Sequence, residues 1–323
     1  MTAARWLLLL LALVAAIVAG VMVGTLPLTP SEVLHGLLGN AAPMHRDVVR
    51  ELRLPRVLLA ALVGAGLGAA GAALQGATRN VLAEPYLLGV SGGAAMGAVI
   101  AVALGARAPL VPLAGFAGAL GAVALTLLVA RAAGGSGDAR TVLMAGVVVG
   151  AFANAAIMVA LAGADANVVR GALWWMMGSA ADASWTAVRS LALYVTVGIA
   201  VLMLLARAID VLALGEDTAA GMGVDVARVA LGVYVAGALL AAGTVAAAGL
   251  VGFVGLLVPH LVRMTGARTH RSIISGAALA GAALVVVADL LARVAHPPAE
   301  LPLGAITALL GVPFFLARLR RLA

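Results

Sequence analysis

Apolar residues run along this chain in long blocks separated by short polar or glycine-rich breaks. A helix crossing a bilayer core needs about 20 predominantly apolar residues, with a range of about 17–25. On that measure the pattern predicts ten spans, at 6–26, 57–77, 87–104, 110–130, 142–162, 187–205, 229–248, 250–262, 273–291 and 301–317. The eighth is short for a full crossing. The first follows Arg5 and has Gly20 and Gly24 near its end, as a secretory signal peptide would. Its apolar run exceeds a signal peptide's hydrophobic region and nine further spans follow, so it reads as a retained helix. An even number of spans puts both termini on one side of the membrane.

Glycine lies inside these blocks as well as between them. Gly64 and Gly68, Gly93 and Gly97, and Gly146 and Gly150 are each four apart. Small residues at that spacing let helix backbones approach closely in lipid, so they predict a tight bundle. A faint internal repeat is also visible. Arg56-Val57 is followed by Ala69-Ala70-Gly71, and Arg228-Val229 by Ala241-Ala242-Gly243, at the same separation. The copies open the second and seventh spans, an offset of five, so they would run in opposite directions, as inverted transporter repeats do. In a chain this rich in Ala and Gly, chance explains the match equally well.

Composition makes lipid the necessary solvent. Of 323 residues 64% are hydrophobic and 10% charged, and the mean hydropathy is +1.16. Soluble domains are about 45–50% apolar and about 25% charged. The fold class is therefore all-α: a polytopic membrane protein of about ten transmembrane helices. There is no cysteine, which excludes disulfides and thiolate metal sites. All twenty basic residues other than histidine are Arg. A phosphate-binding P-loop needs a Lys, so this chain cannot carry a Walker A motif, and ATP chemistry would belong to another polypeptide. In a soluble protein the calculated pI of 11.3 would suggest nucleic acid; here the arginines sit at the ends of apolar runs, as membrane anchors do. With the termini inside, twelve arginines are cytoplasmic and eight are outside. Four of the eight, Arg46, Arg50, Arg53 and Arg56, crowd together against the positive-inside rule.

Three ordered blocks carry a family resemblance. The first holds Leu52-Arg53-Leu54-Pro55-Arg56, Gln75-Gly76, Arg79-Asn80, Leu82-Ala83-Glu84-Pro85-Tyr86 and Leu88-Gly89-Val90-Ser91-Gly92-Gly93-Ala94. The second is Gly252-Phe253-Val254-Gly255-Leu256-Leu257-Val258-Pro259-His260-Leu261-Val262-Arg263. The third holds Ala288-Asp289-Leu290-Leu291-Ala292-Arg293, Glu300-Leu301-Pro302-Leu303-Gly304 and Gly311-Val312-Pro313-Phe314-Phe315. From about Leu52 onward the chain resembles the FecCD family of ABC permeases, which includes vitamin B12, haem and ferric-siderophore permeases. Val81 departs from the pattern, which usually has Pro after the Asn. The resemblance implies a single BtuC-like, type II importer permease domain over residues 1–323. It implies a homodimer in the bacterial inner (cytoplasmic) membrane with the path at its centre. Two cytoplasmic ATPase subunits would carry the ATP and Mg, with no cofactor on this chain. One periplasmic or lipid-anchored binding protein would dock outside.

It also assigns roles. Arg53, Arg56 and Arg293 match outer arginines that receive carboxylates of the binding protein; the alternative is interfacial anchoring and, for Arg293, a pair with Asp289 four residues earlier. Asp289 is the one acid falling inside a predicted span, near its outer end, where a structural pair suits it better than a proton relay. The stretch 207–228 would carry the ATPase-coupling helix, with Leu214, Gly215, Glu216, Asp217, Gly221, Met222 and Gly223 at the contact. Asp217 can start a short helix there, and Gly221 or Gly223 can end it. The stretch 133–141, with Asp138, Ala139, Arg140 and Thr141, would form the cytoplasmic gate or, equally, a plain flexible turn. Arg170, Trp174 and Met177 stand outside, as interfacial residues or as a substrate entrance. No His, Asp and Glu grouping suits a bare metal ion, and His260 reads as structural.

The chemistry expected is import of a metal chelate, a ferric siderophore or haem, with cobalamin as the alternative and no nucleic-acid partner. A secondary transporter would need coupling acids at mid-membrane, and only Asp289 comes near that description. A membrane-embedded enzyme would need a nucleophile–base pair or metal-ligand spacing, and the sequence offers neither.

Overall fold

The computed structural model describes residues 2–135 and 138–319. Every regular element among them is helical. In chain order they are α1 (Ala3–Met22), α2 (Pro30–Leu38), α3 (Pro43–Asp47), a π-helical segment (Val48–Arg53), α4 (Leu54–Ala77), a 3-10 turn (Pro85–Leu88), α5 (Val90–Ala103), α6 (Leu110–Ala132) and α7 (Ala139–Ala162). There follow α8 (Ala166–Met177), α9 (Trp185–Leu212), α10 (Glu216–Gly221), α11 (Val226–Ala248), α12 (Val254–Met264), α13 (His270–Val294) and α14 (Leu303–Leu319). Each of the ten predicted blocks contains a helix. Seven helices are long and apolar enough to cross a membrane, while α5, α12 and α14 are shorter apolar helices. The pattern missed four elements outside the blocks: α2, which a Thr29–Glu32 capping box starts, α3, the π-helical segment, and α8, which carries the tryptophans expected outside.

Burial sorts the helices by place. The most apolar window of the continuous helical run through α4 is 78% buried, against 17% for α1 and 28% for α9. Helix α4 is therefore the axis of the bundle, with α9, α11, α12 and α13 packed around it and α5, α6 and α7 forming a second group. The outward faces of α1, α7 and α9 present leucines, valines and methionines, the surface a lipid solvent tolerates.

Glycine sets how close these axes come. A Cβ on Gly64 would stand 2.0 Å from the carbonyl oxygen of Gly281, and one on Gly281 would stand 2.2 Å from that of Gly64. Gly68 meets the Ala277 carbonyl in the same way at 2.3 Å. On the other group, Gly97 faces the Ala114 carbonyl at 2.2 Å, and Gly93 faces the Gly118 carbonyl at 2.4 Å. Five of the six glycines singled out are thus seats for a neighbouring backbone; Gly146 meets the Leu87 carbonyl at 2.0 Å, whereas a Cβ on Gly150 would meet nothing within 4 Å. Gly64→Ala should force α4 and α13 apart at a cost of about 1–3 kcal/mol. Gly121→Ala, where an added Cβ meets nothing within 4 Å, should cost little. The apparent unfolding midpoint, followed by tryptophan fluorescence in detergent, should fall for the first and hold for the second; equal midpoints would count against this packing.

Candidate functional site

The end of the molecule expected to face outward, called the outer end below, is an ionic knot built around the end of α1. The last carbonyls of a helix have no partner within it. Here side chains from distant helices supply donors. Arg53 donates from Nη1 to the carbonyls of Val21 at 3.0 Å and Met22 at 2.9 Å, and from Nη2 to that of Leu26. Arg293 donates to the Gly20 carbonyl at 3.1 Å and to the Val23 carbonyl at 3.2 Å. Asp289, 1% exposed, is shared: it accepts from Arg293 Nε at 3.1 Å and from Arg56 Nη2 at 2.9 Å. Glu300 holds the other edge of the Arg56 fork at 2.8 Å. Nearby, Arg50 donates to the Leu37 carbonyl at the end of α2.

In this arrangement the three arginines expected to dock a binding protein are engaged within the chain. Arg53 and Arg293 are 5% and 4% exposed, and their donors serve backbone carbonyls and Asp289, so neither presents a free charge to a partner. Arg56 is nearly buried between two acids. The expected i,i+4 pair of Asp289 with Arg293 is present. The crowd of outer arginines has a structural cause, because two of its four members close the ends of α1 and α2.

The second feature is a cavity of about 670 Å³. Four segments converge on it: the 3-10 turn before α5, the end of α8, the loop before α12 and the start of α14. Its lining includes Glu84, Tyr86, Ser91, Met177, Phe253 and Ala305. Its level in the membrane follows from α4. A Cβ on Gly255 would meet Pro85 Cδ at 2.9 Å and the Leu67 carbonyl at 3.2 Å, and Leu67 lies near the middle of the 24-residue α4. Helices α5, with 14 residues, and α12, with 11, both begin at this level. Neither can span alone, since about 17–25 residues are needed. Irregular backbone at membrane depth persists only where protein buries it or a water-filled cavity meets it. Tyr86 supplies one such contact, its hydroxyl oxygen accepting from the Val251 amide at 3.1 Å. Phe253 enters α12 with φ +66°, in the left-handed region that a bulky residue rarely adopts.

The opposite end, expected to be cytoplasmic and called the inner face below, carries the third feature. Helix α10 begins at Glu216 behind Gly215, whose φ is +119°, and ends at Gly221 ahead of Gly223, whose φ is +80°. It starts one residue before the expected Asp217. Leu214 and Met222 are exposed at its two ends, while Ala219 is buried and anchors it. Arg79 crosses from the end of α4 to Glu216 at 2.5 Å. Asp138 caps α7, accepting from the Thr141 hydroxyl at 2.6 Å and the Thr141 amide at 3.0 Å. These bonds hold its carboxyl below the usual carboxylate range. Ala139 and Arg140 open the same helix. Of the expected gate stretch, Ser136 and Gly137 lie outside the described residues, as do Arg320 and Arg321 of the inner arginine set.

The sequence profile of the FecCD transport family matches residues 10–321. The chain belongs to that family. Among its relatives is a hemin transport permease of Yersinia pestis, 36% identical over 82% of this chain and 80% of that protein. Another is a cobalamin import permease of Halobacterium salinarum, 41% identical over 84% of this chain and 73% of that one. A solved structure described as an inward-facing conformation of a metal-chelate type ABC transporter superposes with a TM-score of 0.86. It is 28% identical and covers 97% of both chains.

In this FecCD permease the expected entrance residues divide. Met177 lines the cavity, whereas Arg170 and Trp174 sit exposed on α8 at helical spacing from it, outside the lining. Glu84 is the cavity residue that span counting overlooked, because it falls in the break between two apolar blocks. The signal that finds it is the pair of short helices in matching positions, α5 after α4 and α12 after α11, which in transporters points to the binding region. The knot makes its own prediction. Removing one partner of a buried pair costs about 3–5 kcal/mol. Arg293→Ala should therefore lower the unfolding midpoint in nanodiscs well below that of Arg46→Ala, whose side chain is exposed. If both variants melt with the parent, the knot does not hold the outer end together.

Proposed function

We propose that this FecCD permease is the membrane half of an ATP-driven importer for a metal chelate. The cargo class we favour is a ferric siderophore or haem, with cobalamin as the alternative. The observation that carries this reading is the mid-depth cavity formed by elements too short to span. Its volume falls within the range of about 300–1,000 Å³ typical of small-molecule sites. Among the described residues no group of three His, Cys, Asp or Glu side chains could hold a metal ion, which speaks for cargo that brings its own ligands.

The working assembly is a homodimer in the bacterial inner membrane with both termini cytoplasmic. Asn154 supports the dimer. It is exposed partway along α7, among exposed Val148, Phe152 and Met158, and has no hydrogen-bond partner among the described residues. Lipid cannot satisfy an amide, and a facing helix can. ATP and Mg would be held by two partner ATPase subunits docking at α10, through exposed Leu214 and Met222 beside Glu216 and Asp217. One periplasmic or lipid-anchored binding protein would dock outside. Of the three arginines expected to receive it, only Arg56, at the edge it shares with Glu300, stands near the surface.

The coupling reading is tested at α10. Leu214→Glu with Met222→Glu should abolish co-purification of the partner ATPase and uptake of the chelate its binding protein retains. The elution volume of the permease itself should not change. Uptake that continues after deletion of the partner ATPase would instead make the chain a secondary transporter.

A further inference from the structure

Glu84 is an acid with nothing to answer it. It lines the cavity, and among the described residues its carboxyl has no hydrogen-bond or ion-pair partner. Every other acid at membrane depth is bound: Asp289 by two arginines and Asp210 by His270. The walls around Glu84 are otherwise apolar, with Met177, Leu250, Phe253 and Ala305, and the polar atoms nearby belong to Ser91 and Tyr86. The Tyr86 oxygen already accepts a backbone hydrogen bond. A carboxyl left unpaired in low dielectric is expensive, so one kept there marks a functional position.

We propose that Glu84 is the charge-sorting residue of the path. It favours cargo that presents a cationic group or hydrogen-bond donors, such as amide or hydroxamate chelates, and disfavours chelates whose surface is carboxylate. The physical reason is the setting. The cavity is lined by one acid and no base, and its apolar walls weaken screening, so a single charge acts over the whole width of the site. An anionic chelate meets repulsion there with no arginine in the lining to offset it. A donor-bearing chelate gains a charge-assisted hydrogen bond, stronger than a neutral one. This rests on reading the cavity as part of the transport path, so its test must not depend on transport.

The chain supplies a clean background for that test, having no cysteine of its own. Ala305→Cys places one thiol on the cavity wall. The purified permease in nanodiscs is treated at pH 8 with thiosulfonate reagents of matched size, one a quaternary ammonium and one a sulfonate. Each rate is divided by its rate on a free thiol in solution. With Glu84 present the cationic reagent should react at least about five times faster than the anionic one. Adding Glu84→Gln should bring that ratio close to one without changing the elution volume. A ratio near one with Glu84 in place, a ratio that Glu84→Gln leaves high, or a thiol that neither reagent reaches would each overturn the proposal. None of these readings needs ATP or a partner, so they can fail while the importer assignment stands, and the α10 variants can fail while charge sorting stands.

Discussion

Inside a membrane a backbone polar group must find its partner within the protein, since lipid offers none. That constraint organises this molecule more than any apolar contact does. Most of the backbone meets it by being helical. The exceptions are the helix ends and the breaks at membrane depth, and these are where the informative residues sit. At the outer end, the carbonyls that close α1 are met by Arg53 and Arg293. Arg53 belongs to the π segment that leads into α4, and Arg293 to the last turn of α13. Placing two guanidinium groups in a protein interior is itself costly, and Asp289 with Glu300 offsets the charge. The knot is therefore a consequence of ending a helix where no water reaches, and it fixes α1, α4 and α13 to one another at one level.

The same constraint shapes the cavity. The turn before α5 and the loop before α12 leave the helical path at the level of Leu67, and they must bury or hydrate what they expose. Part of the cost is met internally, by the bond from the Val251 amide to Tyr86 and by those from the Ser179 amide to the Ala248 carbonyl and from the Leu303 amide to the Gly178 carbonyl. The remainder faces the open volume. Short helices and a path are thus two descriptions of one arrangement: an element that stops halfway leaves space ahead of it. Backbone in the left-handed region at Phe253 and Gly89 is how the chain turns sharply enough to begin a helix there.

Hydropathy made the ten helix-bearing blocks legible, though not that α5 and α14, like the short α12, fall below spanning length, because lipid imposes one demand on every lipid-facing turn, and 64% apolar content repeats that demand along the chain. The glycine seats were legible for a related reason, since spacing by four is a property of one helix alone. What the sequence could not show were contacts that depend on a distant partner. Nothing near Arg53 in the sequence reveals that its donors reach carbonyls of residues 21, 22 and 26. An arginine at a helix end reads equally as a docking charge, an anchor or a cap. Glu84 was missed by the converse error. A polar residue between two apolar blocks reads as a loop at the membrane surface, and only the folded chain shows that this loop re-enters. Helix α8 escaped because twelve residues with two adjacent tryptophans carry too little apolar length to register as a span.

The three features are joined by a single element. Helix α4 starts beside Arg53 and Arg56 in the outer knot, passes the cavity at Leu67 and Gly71, and ends next to Arg79, which reaches Glu216 of α10. Its close-packed seats on α12 and α13, at Gly71 and at Gly64 and Gly68, leave no slack for bending at those contacts. A displacement at α10 would therefore reach cavity level as movement of a packed unit, α4 together with α12 and α13, and not as local yielding. The exposed Arg79–Glu216 bridge contributes little stability by itself. Its value lies in position, because Arg79 occupies the left-handed turn at φ +51°, where glycine would be easier, and a glycine there could not reach α10. The backbone strain at that turn and the missing slack along α4 have the same mechanical sense: they keep α10 and the mid-membrane cavity on one rigid lever.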